Sequence, residues 1–390
     1  MSRRRLAVVA PSRERGGAEE YLAKVVRAAA RAGWEVHAGL PRVPGTVGFR
    51  RELSQGSVTM HALAIGGSHR PGKLGATRRI ATDFVRTAAY LARARPAVAL
   101  VILPNPESAP GALLATTTLR IPALVVFQLV PPDLTVSDLR RRLYALARRG
   151  QRWVAVSDDN RRSVARAFGF DDERLIRIYN GVALAEPSSA VEKQEARAAL
   201  GAELGLSEHA KLLLTVGRLS RQKGHDHILD ALPAIRARTP DVVFLWAGSG
   251  ELEGELRRRI TEIGAGDRIR LLGRRTDVRR LLAAADLFVF SSRYEGFGFA
   301  LVDAMAARLP IVASDQSATP EIIGDGAHGL LFRLGDREHL AERIAWALAH
   351  PREMSAMAER AATRVADRYR EDEMLARTLY ELAALAAGGR

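Results

Sequence analysis

Short, wholly apolar runs alternate along this chain with longer stretches in which apolar residues return every three or four positions. Runs of the first kind suit strands buried on both faces, and stretches of the second suit amphipathic helices. Residues 6–10 form the first run. A polar loop follows, Ser12-Arg-Glu-Arg-Gly16-Gly17-Ala-Glu19. Then come Leu22, Val25, Val26 and Ala29 at helical spacing, Gly33 as a C-cap, and residues 35–38 opening a second strand. Strand, loop, helix, strand is the unit of a parallel sheet. Residues 41–75 read as loop around one short strand, 58–64. The pattern then predicts a helix over 76–94, a strand over 98–103, a helix over 109–118 and a strand over 123–129. An arginine-dense helix over 134–152 and strands over 153–156 and 176–178 follow, ending in the turn signal Asn180-Gly181.

Residues 184–196, with Pro187, Ser188 and Ser189, read as a linker, and the pattern then restarts. Strands are predicted over 211–217, 242–247, 269–272, 287–291 and 311–313, and helices over about 226–238, 278–285 and 300–307. Pro320-Glu321 reads as a turn into helix, and 369–385 as a last helix. Two successive series of this kind mean two doubly wound domains, in which ligands sit at the carboxyl ends of the strands.

The stretch richest in candidate chemistry is Glu295-Gly-Phe-Gly-Phe-Ala-Leu-Val-Asp303, between a predicted strand and a predicted helix. A Gly-rich turn there sets unpaired backbone N–H groups at a helix N-terminus, where they suit an anion. Glu295 and Asp303 suit sugar hydroxyls instead. Arg218 and Lys223 follow another strand end, five residues apart, where cations would neutralise a diphosphate leaving group. Gly248-Ser-Gly250 is half of a dinucleotide fingerprint, and a lone Gly-x-Gly is not diagnostic. An ordinary strand–turn–helix junction, a tight turn at Gly16–Gly17 and a pair of surface cations account for the same residues taken one at a time.

Composition narrows the classes. The chain of 390 residues, 47% hydrophobic and 26% charged, is globular and long enough for two domains. It has no cysteine, which excludes disulfides and thiolate chemistry and permits a reducing compartment. The basic start resembles a signal peptide, but its apolar run is short and reads better as a strand. No apolar run approaches the ~18 residues that span a membrane. The net charge is +15, and residues 1–186 hold all of the excess, with 30 Lys and Arg against 15 Asp and Glu. Residues 187–390 hold 29 of each. A one-sided basic surface suits an anionic partner: a membrane leaflet, an acidic acceptor or nucleic acid. On the predicted helix 134–152 the run is Arg140, Arg141, Arg142, Arg148, Arg149 and Arg152, which an ordinary solvated helix face also explains.

Taken together and in order, several pieces resemble glycosyltransferase family 4, retaining enzymes of GT-B fold that use nucleotide-sugar donors. They are Gly16-Gly17-Ala-Glu19, Val216-Gly-Arg218-Leu through Lys223-Gly224, Ala285-Asp-Leu-Phe-Val with Ser291-Ser, Glu295-Gly-Phe-Gly through Asp303-Ala-Met-Ala, and Pro320-Glu321-Ile. The resemblance implies two Rossmann-like domains facing a cleft. Residues 1–186 would bind the acceptor, 197–365 would bind the donor, and a C-terminal helix within 366–390 would cross back to the first domain. It implies that Arg218 and Lys223 grip the donor diphosphate and that Glu295 binds hydroxyls of the transferred sugar. The Gly16–Gly17 loop would approach the phosphates. The backbone of Gly298, Phe299 and Ala300 would contact sugar and phosphate, with Gly296, Phe297 and Leu301 beside them. Asp303 would hold the ribose, the base would lie near Gly273 and Arg274, and Gly248 is counted among the substrate-binding residues. Two departures stand out. The second acid is Asp303 where the family has Glu, and Gln128 stands where many members have His.

The implied reaction is transfer of a hexose-type sugar with retention, without a cofactor or metal ion. A UDP-sugar is favoured over a GDP-sugar, and the acceptor belongs to a lipid-linked or cell-envelope glycan. No carboxylate pair suited to double displacement is evident. The expected setting is bacterial and cytoplasmic, with peripheral contact at the inner membrane face. A sugar-nucleotide epimerase of the same fold would share the diphosphate site. A nucleic-acid-binding protein would explain the basic half, but aromatics are sparse in the basic helices where bases would stack.

Overall fold

The structure is a computed structural model that describes residues 4–66, 73–136, 138–148, 150–169, 173–184 and 186–388. The chain separates into two compact units, Met1–Asn180 with Asp372–Arg390, and Gly181–Glu371.

The first unit is built on β1 (Arg5–Val9), β2 (Glu35–Leu40), β3 (Val58–Ala62), β4 (Val98–Leu103), β5 (Ala123–Phe127), β6 (Gln151–Ala155) and β7 (Leu175–Arg177). They pair in parallel in the order β3-β2-β1-β4-β5-β6-β7. Alternate strand positions, among them Ala7, Val9, Val101, Val125 and Trp153, pack with Tyr90, Leu91, Leu113, Tyr144 and Phe168 from helices on one face. The C-terminal helix, Glu371–Gly388, belongs to this unit and buries Met374, Thr378 and Leu382, with Thr378 Oγ1 3.2 Å from the Tyr21 hydroxyl.

The second unit has β8 (Lys211–Val216), β9 (Val242–Ala247), β10 (Ile269–Gly273), β11 (Leu287–Phe290), β12 (Ile311–Ser314) and β13 (Leu330–Phe332). The order is β10-β9-β8-β11-β12-β13, again parallel. Its core includes Phe244, Trp246, Leu287 and Phe332, fully buried side chains each worth roughly 1.5–3 kcal/mol. Each sheet is wound outward from two central strands. The direction of winding reverses between β1 and β4 in the first unit and between β8 and β11 in the second.

Several expectations are corrected. Residues 41–75 contain a helix, Val47–Ser54, whose Glu52 binds Arg15 at 2.6 Å. The arginine-dense helix is shorter than expected, Asp138–Ala147, and β6 begins at Gln151. Its basic run is not one solvated face: Arg148 is 5% exposed, with its guanidinium 5.5 Å from the Trp153 ring centre, and Arg141 Nε donates to the Ala167 carbonyl. The Arg140 side chain and Arg149 lie outside the described residues. The residues read as linker run into a helix, Ala190–Leu204, N-capped by Ser189. The chain passes between the units at Asn180–Gly181 and Glu371–Asp372.

Candidate active site

In the second unit, the loops that leave β8 and β11 flank the point where winding reverses, and they are bonded to each other. The β8 loop turns through a short helix, Arg221–Lys223, to Gly224, which opens the helix His225–Arg238. Gly224 has φ +63°, and a Cβ there would lie 2.1 Å from the Ser291 carbonyl oxygen on the β11 loop. Ser291 Oγ donates to the Lys223 carbonyl at 3.0 Å, and Arg293 N donates to the Gln222 carbonyl at 2.7 Å. Arg293 also forms two guanidinium bonds to Asp226, at 2.8 and 2.6 Å.

This stitching brings Lys223 and Glu295 together, 72 residues apart in sequence. Lys223 Nζ donates to Glu295 Oε1 and lies 5.4 Å from the Phe290 ring centre. Gln222 Nε2 donates to the Tyr294 carbonyl at 3.0 Å and to Glu295 Oε2 at 3.3 Å. The side chains are 18% and 7% exposed, so the pair is deep but still reached by solvent. A carboxylate offers about four lone-pair directions, so Glu295 keeps acceptors for further hydroxyl donors. Held through both oxygens, its carboxylate is fixed in orientation.

Arg218 is exposed, and the stem of Lys223 lies against the neighbouring Gly217, with Cε 3.4 Å from where its Cβ would be. The β9 loop braces this turn from behind. Leu219 N donates to the Ser249 carbonyl at 3.1 Å, and a Cβ on Gly248, whose φ is +157°, would meet the Gly217 carbonyl oxygen at 1.8 Å. Backbone packing alone therefore requires glycine at 248. Gly248 N in turn donates to the Gly273 carbonyl at 2.8 Å, and Arg274 is exposed just beyond. Ends of neighbouring strands lie ~4.8 Å apart, so the end of β10 is ~10 Å from that of β8.

After β11, Gly296, Phe297 and Gly298 are buried and Phe299 and Ala300 half-buried. Gly298 caps the helix Phe299–Ala306 from the left-handed region, and Phe297 rests edge-on against Phe299 and Tyr369. Leu301 is wholly buried and its N–H goes to the Gly298 carbonyl, so its place is in the core. Asp303 is half-buried, one turn after Phe299 on the same helix face. In the first unit, Gly16 N donates to Glu19 Oε2 at 2.7 Å, and Gly17 is the first residue of the helix Gly17–Arg31. Among the described residues no group of three or more His, Asp or Glu side chains is placed to hold a metal ion.

A family model for glycosyl transferases group 1 matches residues 197–364, and one for glycosyltransferase family 4 matches residues 15–186. The chain belongs to glycosyltransferase family 4. One relative is the lipopolysaccharide core biosynthesis mannosyltransferase LpsB of Rhizobium meliloti, 32% identical over 43% of this chain and 49% of that protein. Another, from Corynebacterium glutamicum, is a GDP-mannose-dependent phosphatidylinositol monomannoside mannosyltransferase, 31% identical over 42% of this chain and 44% of that protein. The chain spans about half the length of the curated relatives it matches. The crystal structure of Anabaena HepE in complex with UDP covers 98% of this chain and 100% of its own, at 22% identity and a TM-score of 0.77. The fold is GT-B.

Against the family pattern, Gln128 follows β5 as a buried carboxamide, whose Oε1 accepts from Asn180 Nδ2 at 2.9 Å. Three residues that tie the two loops together escaped sequence reading. Asp226 and Arg293 are 67 residues apart, and no spacing links them. Gln222 had only its place beside Lys223 to mark it.

Proposed function

We propose that this chain is a retaining glycosyltransferase that moves a hexose-type sugar from a nucleoside-diphosphate donor to an acceptor hydroxyl. The observation that carries the reading is the Lys223–Glu295 pair at the point where winding reverses in the second unit, beside the N-terminus of the helix Phe299–Ala306. In this reading Lys223 and Arg218 neutralise the diphosphate without a divalent ion. The N–H groups at Phe299 and Ala300, with Gly296, Phe297 and Gly298 shaping the turn, face sugar and phosphate. Glu295 orients the sugar hydroxyls. The ribose lies toward Asp303 and the base toward Gly273–Arg274, two strands from the β8 loop. The acceptor oxygen bonds to the anomeric carbon on the face from which the diphosphate departs. The carbon–oxygen bond to the β-phosphate breaks, and the acceptor proton passes to the departing phosphate oxygen. The first unit, with the Gly16–Gly17 loop, is cast as the acceptor side, and an acceptor from a lipid-linked or envelope glycan agrees with the names of the relatives. A UDP-sugar is the favoured donor: HepE has been solved with UDP and with UDP-glucose, while the corynebacterial relative is named for GDP-mannose.

The test is a thermal-shift screen of nucleoside diphosphates and nucleotide sugars. A true ligand at 100 times its Kd raises stability by about 2.7 kcal/mol. UDP is expected to raise the melting temperature of the wild type and not of Lys223→Ala. No shift with any nucleotide would sink the reading, and a shift with GDP alone would reverse the choice of base.

A further inference from the structure

We propose that the outer surface of three adjacent helices in the first unit docks onto an anionic lipid leaflet. The helices are Lys73–Ala94, Pro110–Thr118 and Asp138–Ala147, packed side by side in that order. The inference rests on the lipid-linked acceptor of the function proposed above.

The charges come first. Arg78, Arg86, Arg120 and Arg142 are exposed on these helices and their ends. Among the described residues none of the four has a carboxylate within ion-pair distance; Arg86 donates to the Ala64 carbonyl. The one acid within the helix Lys73–Ala94, Asp83, is 3% exposed, accepts from Gly66 N and feels the charges of Arg79 and Arg86, so it offsets part of the charge near Arg86 and leaves Arg78, Arg120 and Arg142 to the outer surface. Many arginines elsewhere in the chain are paired internally. Arg197 pairs with Asp286, Arg259 with Asp230, Arg275 and Arg280 with Glu203, and Arg308 with Glu359. Arginines left without internal partners take their counter-ions from outside, and a negatively charged leaflet supplies them in a plane.

Apolar exposure points the same way. Val85, Leu119 and Leu146 are 62%, 40% and 48% exposed, each on or at the end of one of the three helices. Between the helices lies a small, shallow apolar depression lined by Ile80, Pro110, Leu114, Leu143, Tyr144 and Ala147. Aliphatic side chains set among unpaired arginines suit the boundary between headgroups and acyl chains, where arginine stems lie along apolar surface and their heads reach phosphate. Nucleic acid would answer the charge but not the aliphatic residues, since bases call for aromatic platforms. No described helix is long and apolar enough to cross a membrane, so contact through this face is interfacial.

Co-sedimentation with phosphatidylglycerol–phosphatidylcholine vesicles, and with phosphatidylcholine alone, tests the surface. The wild type is expected to pellet with the anionic vesicles only. Arg78→Glu/Arg86→Glu/Arg142→Glu should reduce pelleting at least tenfold, and Val85→Ser/Leu146→Ser by several-fold. Both variants should keep the wild-type circular dichroism and the nucleotide-induced thermal shift, which separates failure of this surface from failure of the transferase reading. Equal pelleting with and without anionic lipid, or variants that pellet like the wild type, would overturn the proposal. Binding of a polynucleotide at physiological salt that the Val85→Ser/Leu146→Ser variant retains in full would assign the surface to nucleic acid instead.

Discussion

The ammonium of Lys223 and the carboxylate of Glu295 meet where little water reaches either. Removing one partner strands the other charge, which costs roughly 1–3 kcal/mol at a partly buried site. Lys223→Met should therefore destabilise the ligand-free protein by that much, and Lys223→Met/Glu295→Gln by less than the sum of the single changes. Urea denaturation of the four proteins measures the coupling, and additive effects would mean that the pair is not formed in solution. Glu295→Gln alone should slow transfer roughly 10–100-fold, the worth of one charge-assisted bond to a sugar hydroxyl, while nucleotide affinity holds. Beneath the pair, His225 is 2% exposed and stacks edge-on against Trp246. Burial, aided by the nearby Lys223 charge, pulls its pKa from 6.5 down to about 4. Between those values the unfolded chain holds a proton that the folded protein refuses. Stability is whole above pH 6.5 and falls as the pH drops toward 4, by on the order of 3 kcal/mol from this group. In His225→Phe that part of the acid slope should vanish. Denaturation curves between pH 7.5 and 4.5 give the comparison, and parallel slopes for the two proteins would refute the burial argument.

The same site depends on backbones that touch. Gly224→Ala would place a methyl 2.1 Å from the Ser291 carbonyl oxygen at a left-handed φ, and Gly248→Ala one 1.8 Å from that of Gly217. Each should cost more than the ~1 kcal/mol of an ordinary Gly→Ala strain, because no side chain can swing aside, and should remove the nucleotide shift with it. Melting curves with and without UDP read both effects, and a variant of wild-type stability that still binds would contradict the packing. These contacts also show which elements sequence can reveal. The central strands were legible because parallel strands buried on both faces leave continuous apolar runs, as in Val98–Leu103 and Leu287–Phe290. β13 has three residues, too few for a period, and Val47–Ser54 buries only Phe49 and Leu53. Pro187 and Ser188 suggest a linker, yet a helix signal stands directly beside them. Ser189 and Glu192 form a capping box, with bonds of 3.2 and 2.7 Å, and open a helix. At the site, cations at a strand end and acids flanking a Gly-rich turn could be read because each lies within one loop. The Asp226–Arg293 bond joins two loops, and only the fold brings it about.

The two units differ in how the chain composes them. The second is one continuous stretch, Gly181–Glu371, and holds Arg218, Lys223, Glu295 and Asp303. Its two ends are fastened together: Val182 N donates to the Tyr369 carbonyl at 2.9 Å, and Glu371 N to the Val182 carbonyl at 3.0 Å. Tyr369 also packs edge-on against Phe297 in the candidate site, so the closure of this unit and the shape of its ligand loop share a side chain. The first unit is completed only by Asp372–Arg390, whose helix covers Tyr21 and pairs Glu381 with Arg152. A fragment of residues 181–371 is therefore expected to fold cooperatively and to keep the UDP-induced shift. A fragment of residues 1–180 would leave its share of that buried surface open, with Tyr21 losing its Thr378 partner, and is expected to lose cooperative unfolding. Adding residues 372–390 back through a flexible tether should restore the transition. The argument is wrong if the 1–180 fragment melts as sharply as the tethered form, or if the 181–371 fragment folds but binds nucleotide only when the rest of the chain is present.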